Sequence, residues 1–429
     1  MTDPNAKPSR LSTPARVLLA LAAGAVLGLA LAAWDQPLAL RIADIVQPIG
    51  RLWLNALQMT VVPLVAALVV VGINAASDAA ASGRTARVAM AVFAILLTVC
   101  GAFAALASPA FLSLMPRDDS LVTAFRAAIQ APETLPDAPG FGEWLVTVIP
   151  SNAIAAAAAS AMLPLVVFSM FFGFALTRLE PERRTRMLEL VRSIGDTMIV
   201  IVRWVLWAAP LGVFALVFAV CARVGLGMLS ALAYYILLQC ALYVAITLLM
   251  YLVAVLFAGE RLGRFAAALL PVQAIAASSQ SSLASLPVMI DSARVRLGYP
   301  LAVTSLVLPM AVSLFRIASP VQYLSVAVFI AWMYGIDLTA AQLAVAVGLS
   351  VVISMGSVGL PGQVSFMTTN MPVTQAMGLP VEPLGVLLAV DTIPDVFATV
   401  ANTTADVAAT GVVARRTGHV PGAAEEAAP

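Results

Sequence analysis

The 429-residue chain is 62% hydrophobic and only 10% charged, whereas a typical soluble domain carries about 25% charged residues. That deficit excludes an ordinary soluble protein and points to a chain that crosses a membrane many times. A net charge of +1 supplies no basic surface for nucleic acid, so none is expected as a partner.

In chain order, the polar, basic stretch MTDPNAKPSRLSTPAR leads into an apolar run of about 18 residues. No convincing A-x-A cleavage site stands in the usual place, so the run reads as a retained first helix and not as a signal peptide. Apolar runs predict further helices, giving six spans at about Ala15–Ala33, Leu52–Ala76, Val88–Leu114, Ala153–Leu176, Met198–Val220 and Met228–Ala258. Basic residues cluster in alternate connections: Lys7, Arg10 and Arg16; Arg84 and Arg87; Arg178, Arg183, Arg184 and Arg186; Arg261 and Arg264. The longest intervening connection instead carries Asp118, Asp119, Glu133, Asp137 and Glu143. The positive-inside rule then places the N-terminus in the cytoplasm.

The alternation breaks at FAAALLPVQAIAASSQSSLASLPVMI, Phe265–Ile290, which is apolar at both ends and serine-rich in the middle. Basic pairs flank it on both sides, Arg261 and Arg264 before it and Arg294 and Arg296 after it. A segment with both flanks cytoplasmic must enter and return, as a re-entrant hairpin covered by protein. A seventh span, about Leu301–Trp332, holds one arginine, Arg316. A second broken segment, LAVAVGLSVVISMGSVGLPGQVSFMTTNM, has acidic flanks, Asp337 and Glu382, as expected outside. The eighth span, about Leu384–Val413, ends at Arg415 and Arg416, on the cytoplasmic side. The predicted fold is therefore an all-α polytopic membrane protein. It has eight transmembrane helices and two opposed re-entrant hairpins, arranged as inverted repeats, with broken helices marking the binding site. Residues 1–14 form a cytoplasmic segment, 15–416 the membrane domain and 417–429 a disordered tail.

The eighth span carries Asp391, Asp395, Asn402 and Asp406, with Thr399 close by; a period of about 100° puts them on one stripe. Ionisable groups in an apolar helix face a cavity, a cation or a substrate, or else form a polar seam between helices. Asp391 lies nearest the outer interface. The run Ser278, Ser279, Ser281, Ser282 and Ser285 offers hydroxyls and free backbone amides at a hairpin tip, an arrangement that binds carboxylates. Glycine and proline in SMGSVGLPG, Ser354–Gly362, permit tight turns, as a linker or as a gate. Cys100, Cys221 and Cys240 have no ligand spacing and read as core residues. His419 is the one histidine, so no Ser-His-Asp triad exists and an enzyme is not expected.

These residues resemble the dicarboxylate/amino acid:cation symporters, the glutamate-transporter family, with this chain a divergent bacterial-type member. The resemblance runs from about Ala15 to Arg416. It rests on VIPSNAIAAAAASAMLPLVVFSMFFGFAL, APLGVFAL, SSLASLPV, SMGSVGLPG and DVFATVANTTAD. It implies a homotrimer in the bacterial inner membrane with both termini cytoplasmic. A scaffold of 15–76 and 150–223 would hold the trimer, while 86–115 and 228–416 slide across the bilayer like an elevator. It also implies a substrate site of Gln280, Ser281, Ser282, Arg316, Ser319, Leu360, Pro361, Gly362, Asp395, Thr399 and Asn402. Asp395 would receive a substrate amino group, and Ser282 a carboxylate. Cation ligands would be Ser313, Ser354, Met355, Ser357, Asn402 and Asp406. No resident cofactor is implied; sodium ions or protons would couple transport.

The departures are informative. Where the family has an Asn-Met-Asp-Gly-Thr motif in the seventh helix, this chain reads Phe315, Arg316, Ile317, Ala318, Ser319. The third-helix partners are depleted to Thr98, flanked by Ile95 and Val99. The deepest sodium site is therefore expected to be absent. The family's substrate arginine is replaced by Ala398 on the eighth helix and Gln280 at the first hairpin tip. Arg316, permanently charged, is either a tethered cation that neutralises Asp395 or Asp406, or a relocated receptor for a substrate carboxylate. A structural ion pair is the third reading. The expected function is secondary transport of a small carboxylate-bearing solute, with altered or reduced sodium coupling. A non-transporting membrane receptor on the same fold is the alternative.

Overall fold

The computed structural model describes residues 13–81, 83–115, 146, 148–225, 227–356 and 362–418; the acidic connection and the predicted tail beyond Gly418 lie outside them. Every regular element among these residues is helical. In order they are α1 Thr13–Trp34, α2 Gln36–Ala81, α3 Arg84–Leu112, α4 Ala153–Ala158, α5 Met162–Leu176, α6 Pro181–Trp207, α7 Ala209–Val224 and α8 Gly227–Val253. There follow α9 Leu262–Ser279, α10 Ser282–Asp291, α11 Leu301–Leu314, α12 Ala318–Tyr334, α13 Ala340–Gly356, α14 Gly362–Ala376, α15 Pro383–Val390 and α16 Thr392–Arg416.

Among the described residues seven helical stretches are long and apolar enough to cross a membrane, and the α6–α7 pair adds an eighth if its 58° bend lies within one span. α9 is one of the seven by length and composition, although its sequence flanks assign it to a hairpin. The fourth expected span is shorter than predicted: Ser160 takes a left-handed φ of 52° and splits it into α4 and the 15-residue α5. The side chain of Asn152 caps α4, accepting from the amides of Ile154 and Ala155 at 2.9 and 3.1 Å. Large apolar side chains lie open on the outer faces, among them Trp34, Ile45, Leu52, Trp204 and Trp207, as a lipid-facing surface requires. The chain is an integral membrane protein.

Two helices start earlier than hydropathy alone suggests. α2 begins at Gln36 and not near Leu52, because Asp35 accepts the Leu38 amide at 3.0 Å and Ala39 and Ala43 pack on Phe218, Ala219 and Ala222. α6 begins at Pro181, with Arg183, Arg184 and Arg186 already in its opening turns. Arg184 then ties α6 to α2, bonding Asn74 at 3.0 Å and Asp78 at 2.6 Å. At the α6–α7 bend, a Cβ on Gly212 would meet the Trp53 ring at 2.2 Å. The glycine therefore lets the indole lie against the bend and donate to the Val205 carbonyl at 3.0 Å.

α1, α2, α5, α6 and α7 pack mainly on one another, while α3, α8, α9, α11, α12 and α16 pack around α16 and α12. α2 also meets α13, at a contact without side chains: a Cβ on Gly72 would lie 2.3 Å from the Cα of Gly356. Backbone cannot yield as a side-chain tip can. Gly72→Leu is expected to cost roughly 1–3 kcal/mol, as overpacking does. Thermal unfolding of the purified protein in detergent checks this.

At the other end of α8, Glu260 is 5% exposed and faces Arg264 at 3.9 Å. Burial pushes its carboxyl above the usual range; Arg264 and Tyr299 pull it down, but by less. An acid raised in the fold contributes its stability below the unfolded pKa and loses it as pH rises through the folded one. Glu260→Gln removes that loss. The variant is expected to match the parent in mildly acidic buffer and to melt higher than it as pH rises.

Candidate substrate and ion site

The seventh span is unwound where the sequence departs from the motif of the family it resembles. Phe315 leaves helical geometry at φ −120°, ψ 74°, ending α11, and α12 begins at Ala318. The opening amide of α12 has no carbonyl in its own helix. It donates instead to Asn402 Oδ1 on α16 at 2.9 Å. The Arg316 carbonyl accepts the Ser319 amide at 3.0 Å and the Ser354 hydroxyl, from α13, at 3.3 Å. Three elements thus hold one short irregular segment in place.

The side chains of that segment divide sharply. Phe315 is fully buried and stacks on Phe93 of α3, with ring centroids 4.6 Å apart and 12° between planes. Ile317 is buried as well. Arg316 lies within electrostatic range of both Asp395 and Asp406 and has polar interactions of its own. Asp406 is 1% exposed, and neither carboxylate oxygen accepts a hydrogen bond among the described residues. Asp395 is half-buried. Thr399, one turn on, is buried and donates its hydroxyl to the Asp395 carbonyl at 2.8 Å.

The first hairpin region is a helix–turn–helix. α9 ends at Ser279, Gln280 adopts a left-handed φ of 50°, and Ser281 caps α10 by accepting the Ala284 amide at 3.2 Å. Gln280 Nε2 donates to the Thr392 carbonyl at 3.2 Å, fixing the tip to the start of α16. Gln280 and Ser281 therefore have structural tasks, whereas half-buried Ser282 opens α10. In the second hairpin region Ser354 is buried and Met355 half-buried near the end of α13. Ser357, Leu360 and Pro361 lie outside the described residues, and Gly362 opens α14. Ser313 is half-buried in the last turn of α11, and Ser319 is buried in the first turn of α12.

Two expectations need correction. The third-helix residues Ile95, Thr98 and Val99 are exposed, and the Thr98 hydroxyl returns to its own helix at the Ala94 carbonyl. The face that meets the unwound segment carries Phe93 and Leu97, both fully buried, so the register of the expected polar partners was displaced. The acidic stripe also serves more than one neighbour. Asp391, between α15 and α16, turns to α8 and α12. Its Oδ1 accepts Gln322 Nε2 at 3.0 Å and the Tyr235 hydroxyl at 3.4 Å. Tyr235 accepts from Gln239 at 3.2 Å, and Gln239 Oε1 accepts from Ser325 at 2.7 Å. The sequence reading missed this set. Its signal was the four-residue spacing of Tyr235, Gln239 and Tyr243 within an apolar helix.

The donors and acceptors suit a small polar solute and one or more cations. Comparison with known proteins agrees in scale and kind. The sodium:dicarboxylate symporter family matches residues 14–416. The proton/glutamate-aspartate symporter of Escherichia coli is 29% identical over 409 residues, covering 93% of this chain and 92% of that protein. The proton/sodium-glutamate symport protein of Bacillus caldotenax is 27% identical, over 84% and 85% of the two chains. C4-dicarboxylate transport protein 2 of Ralstonia nicotianae is 28% identical, over 93% and 88%.

Proposed function

This chain belongs to the sodium:dicarboxylate symporter family, and we propose that it carries an amino acid or dicarboxylate across the bacterial inner membrane with reduced sodium coupling. It is a transporter, and its similar proteins are named for acidic amino acids and C4-dicarboxylates. The observation that carries the reduced coupling is the unwound segment. A hard cation such as sodium needs several oxygen ligands, and a stacked pair of phenyl rings, Phe93 on Phe315, offers none. A guanidinium supplies positive charge there instead, in range of Asp395 and Asp406.

In this reading Arg316 is a tethered cation. It neutralises the carboxylates that a bound ion would otherwise compensate, and it never leaves. Asp395 then meets a substrate amino group, with Thr399 and the Ser282 end of α10 around it; Ser313, Ser354, Met355, Ser357, Asn402 and Asp406 form the remaining ion region. The two hairpins re-enter the membrane from opposite faces. Residues 86–115 and 228–416 move as one body against a trimeric scaffold of 15–76 and 150–223, with both termini cytoplasmic.

Proteoliposomes test the reading. Uptake of labelled L-aspartate and succinate is measured with inward sodium, inward proton or no gradient. Uptake is expected to persist without sodium and to rise with an inward proton gradient. A steep dependence on several sodium ions per cycle would overturn it.

A further inference from the structure

A buried polar assembly outside the unwound segment surrounds Asp391, and the substrate reading leaves it without a task. Asp391 is 6% exposed. Its Oδ1 takes both available hydrogen bonds, from the neutral donors Gln322 and Tyr235. Its Oδ2 accepts none among the described residues. Asp395 follows one helical turn later, and the two carboxylates interact electrostatically. A second observation converges on the same place. Tyr243 is fully buried, and its hydroxyl has no hydrogen-bond partner among the described residues. That hydroxyl lies in the field of Asp391, Asp395 and Tyr235.

The charge environment is one-sided. α8 presents the hydroxyls of Tyr235 and Tyr243 and the thiol of Cys240, side chains that ordinarily carry no charge near neutral pH. α12 presents the neutral amide of Gln322, and α16 presents Asp395. The first hairpin tip brings only the Gln280 amide, which binds the Thr392 carbonyl. Arg316 acts on Asp395, whereas the interactions that act on Asp391 come from Asp395, Gln322 and Tyr235. The two residues lie one helical turn apart, the Asp395 amide donating to the Asp391 carbonyl at 2.9 Å, and like charges so placed repel each other.

We propose that the Asp391–Asp395 pair holds one exchangeable proton, seated on Asp391 Oδ2, and that this proton is the ion coupled to solute movement. Gln322 and Tyr235 keep Oδ1 committed as an acceptor, which leaves Oδ2 to form the O–H bond. Asp395 stays ionised beside Arg316, ready for solute. When the site opens to water, Tyr243 is the hydroxyl through which the proton approaches: it takes one from a hydronium ion, which is left as water, as it gives its own to Asp391, and it is unchanged at the end. One proton enters with the solute and leaves with it on the other side. The coupling role rests on the transporter reading; the proton site itself does not.

The test uses full-length protein in liposomes loaded with a pH-sensitive dye, with L-aspartate and succinate as probes. The parent is expected to acidify the lumen as solute enters. Asp391→Asn is expected to lose at least about tenfold of that acidification, equal to about 1.4 kcal/mol in coupling, yet to keep exchange of labelled for unlabelled solute. Tyr243→Phe is expected to slow acidification at unchanged solute affinity. Undiminished solute-driven acidification in Asp391→Asn would overturn the proposal. Should that variant not fold, Gln322→Leu is used, and an unshifted pH midpoint of exchange overturns it equally. If the parent exchanges no solute at all, the transporter reading fails. The proton site is then read by infrared titration, where a protonated carboxyl band is expected in the parent and absent in Asp391→Asn; its presence in both overturns the site.

Discussion

Arg316→Met is expected to lower solute uptake by about a hundredfold and to make the remainder depend on an added cation. The unwound segment faces two buried or half-buried carboxylates, Asp395 and Asp406, with the Arg316 guanidinium in range of both. Removing one partner from a buried charge set costs about 3–5 kcal/mol, because the partners left behind stay desolvated and uncompensated. A loss of about 2.7 kcal/mol in the transport barrier is already a hundredfold in rate. Sodium is the natural replacement, since Asp406 has two carboxylate oxygens without hydrogen-bond partners among the described residues. The measurement is initial uptake against sodium concentration, with choline as the inert control. Methionine restores the family residue at this position but does not restore the family site. Phe315 still stacks on Phe93, so the recovered dependence should be weak and of first order in sodium. A cation profile identical to the parent's would count against the tethered-cation role.

Much of this architecture was legible before any coordinates. Span number followed from apolar runs, and the break in the seventh span from the motif position of Arg316. The helix–turn–helix at the serine-rich segment fits the basic pairs on both its flanks. What was not legible depends on contacts between distant segments. Hydropathy gave no reason to start α2 at Gln36, because the cause is an Asp35 cap and a small-residue face packed on α7. The rotation of α3 was equally hidden. A nearly uniform apolar helix has no polar face to orient it, so the inward position of Phe93 emerges only from its partner Phe315. Asn402 illustrates the same limit in the site. As a residue type it suited a solute or ion ligand, and nothing local says that its carbonyl oxygen caps α12 through the Ala318 amide. The Asp391 assembly was half visible: the stripe on α16 named the carboxylate, but not the neutral α8 and α12 donors that set it apart from Asp395.

Asp406→Asn is expected to lower uptake on its own and yet to rescue part of the loss caused by Arg316→Met. The single variant leaves Arg316 with less negative charge to neutralise and removes a proposed ion ligand, so uptake is expected to fall. In the Arg316→Met background the same change removes a buried carboxylate that has lost its counter-charge. The double variant should then be less impaired than the product of the two single losses, by a coupling of about 1–3 kcal/mol, the size found for residues in one charged network. Uptake and thermal stability should both carry this coupling, because an uncompensated buried charge harms the fold as well as the cycle. The rival role for Arg316, as a receptor for a substrate carboxylate, has a different signature. Its loss would fall on affinity for solutes with a second carboxylate, spare the cation profile, and multiply with the loss from Asp406→Asn. The cycle therefore separates a charge that stands in for an ion from one that reaches for the solute. The carboxylate inventory favours the first: among the described residues Asp406 is buried with both oxygens unpartnered, and the guanidinium whose field reaches it belongs to Arg316.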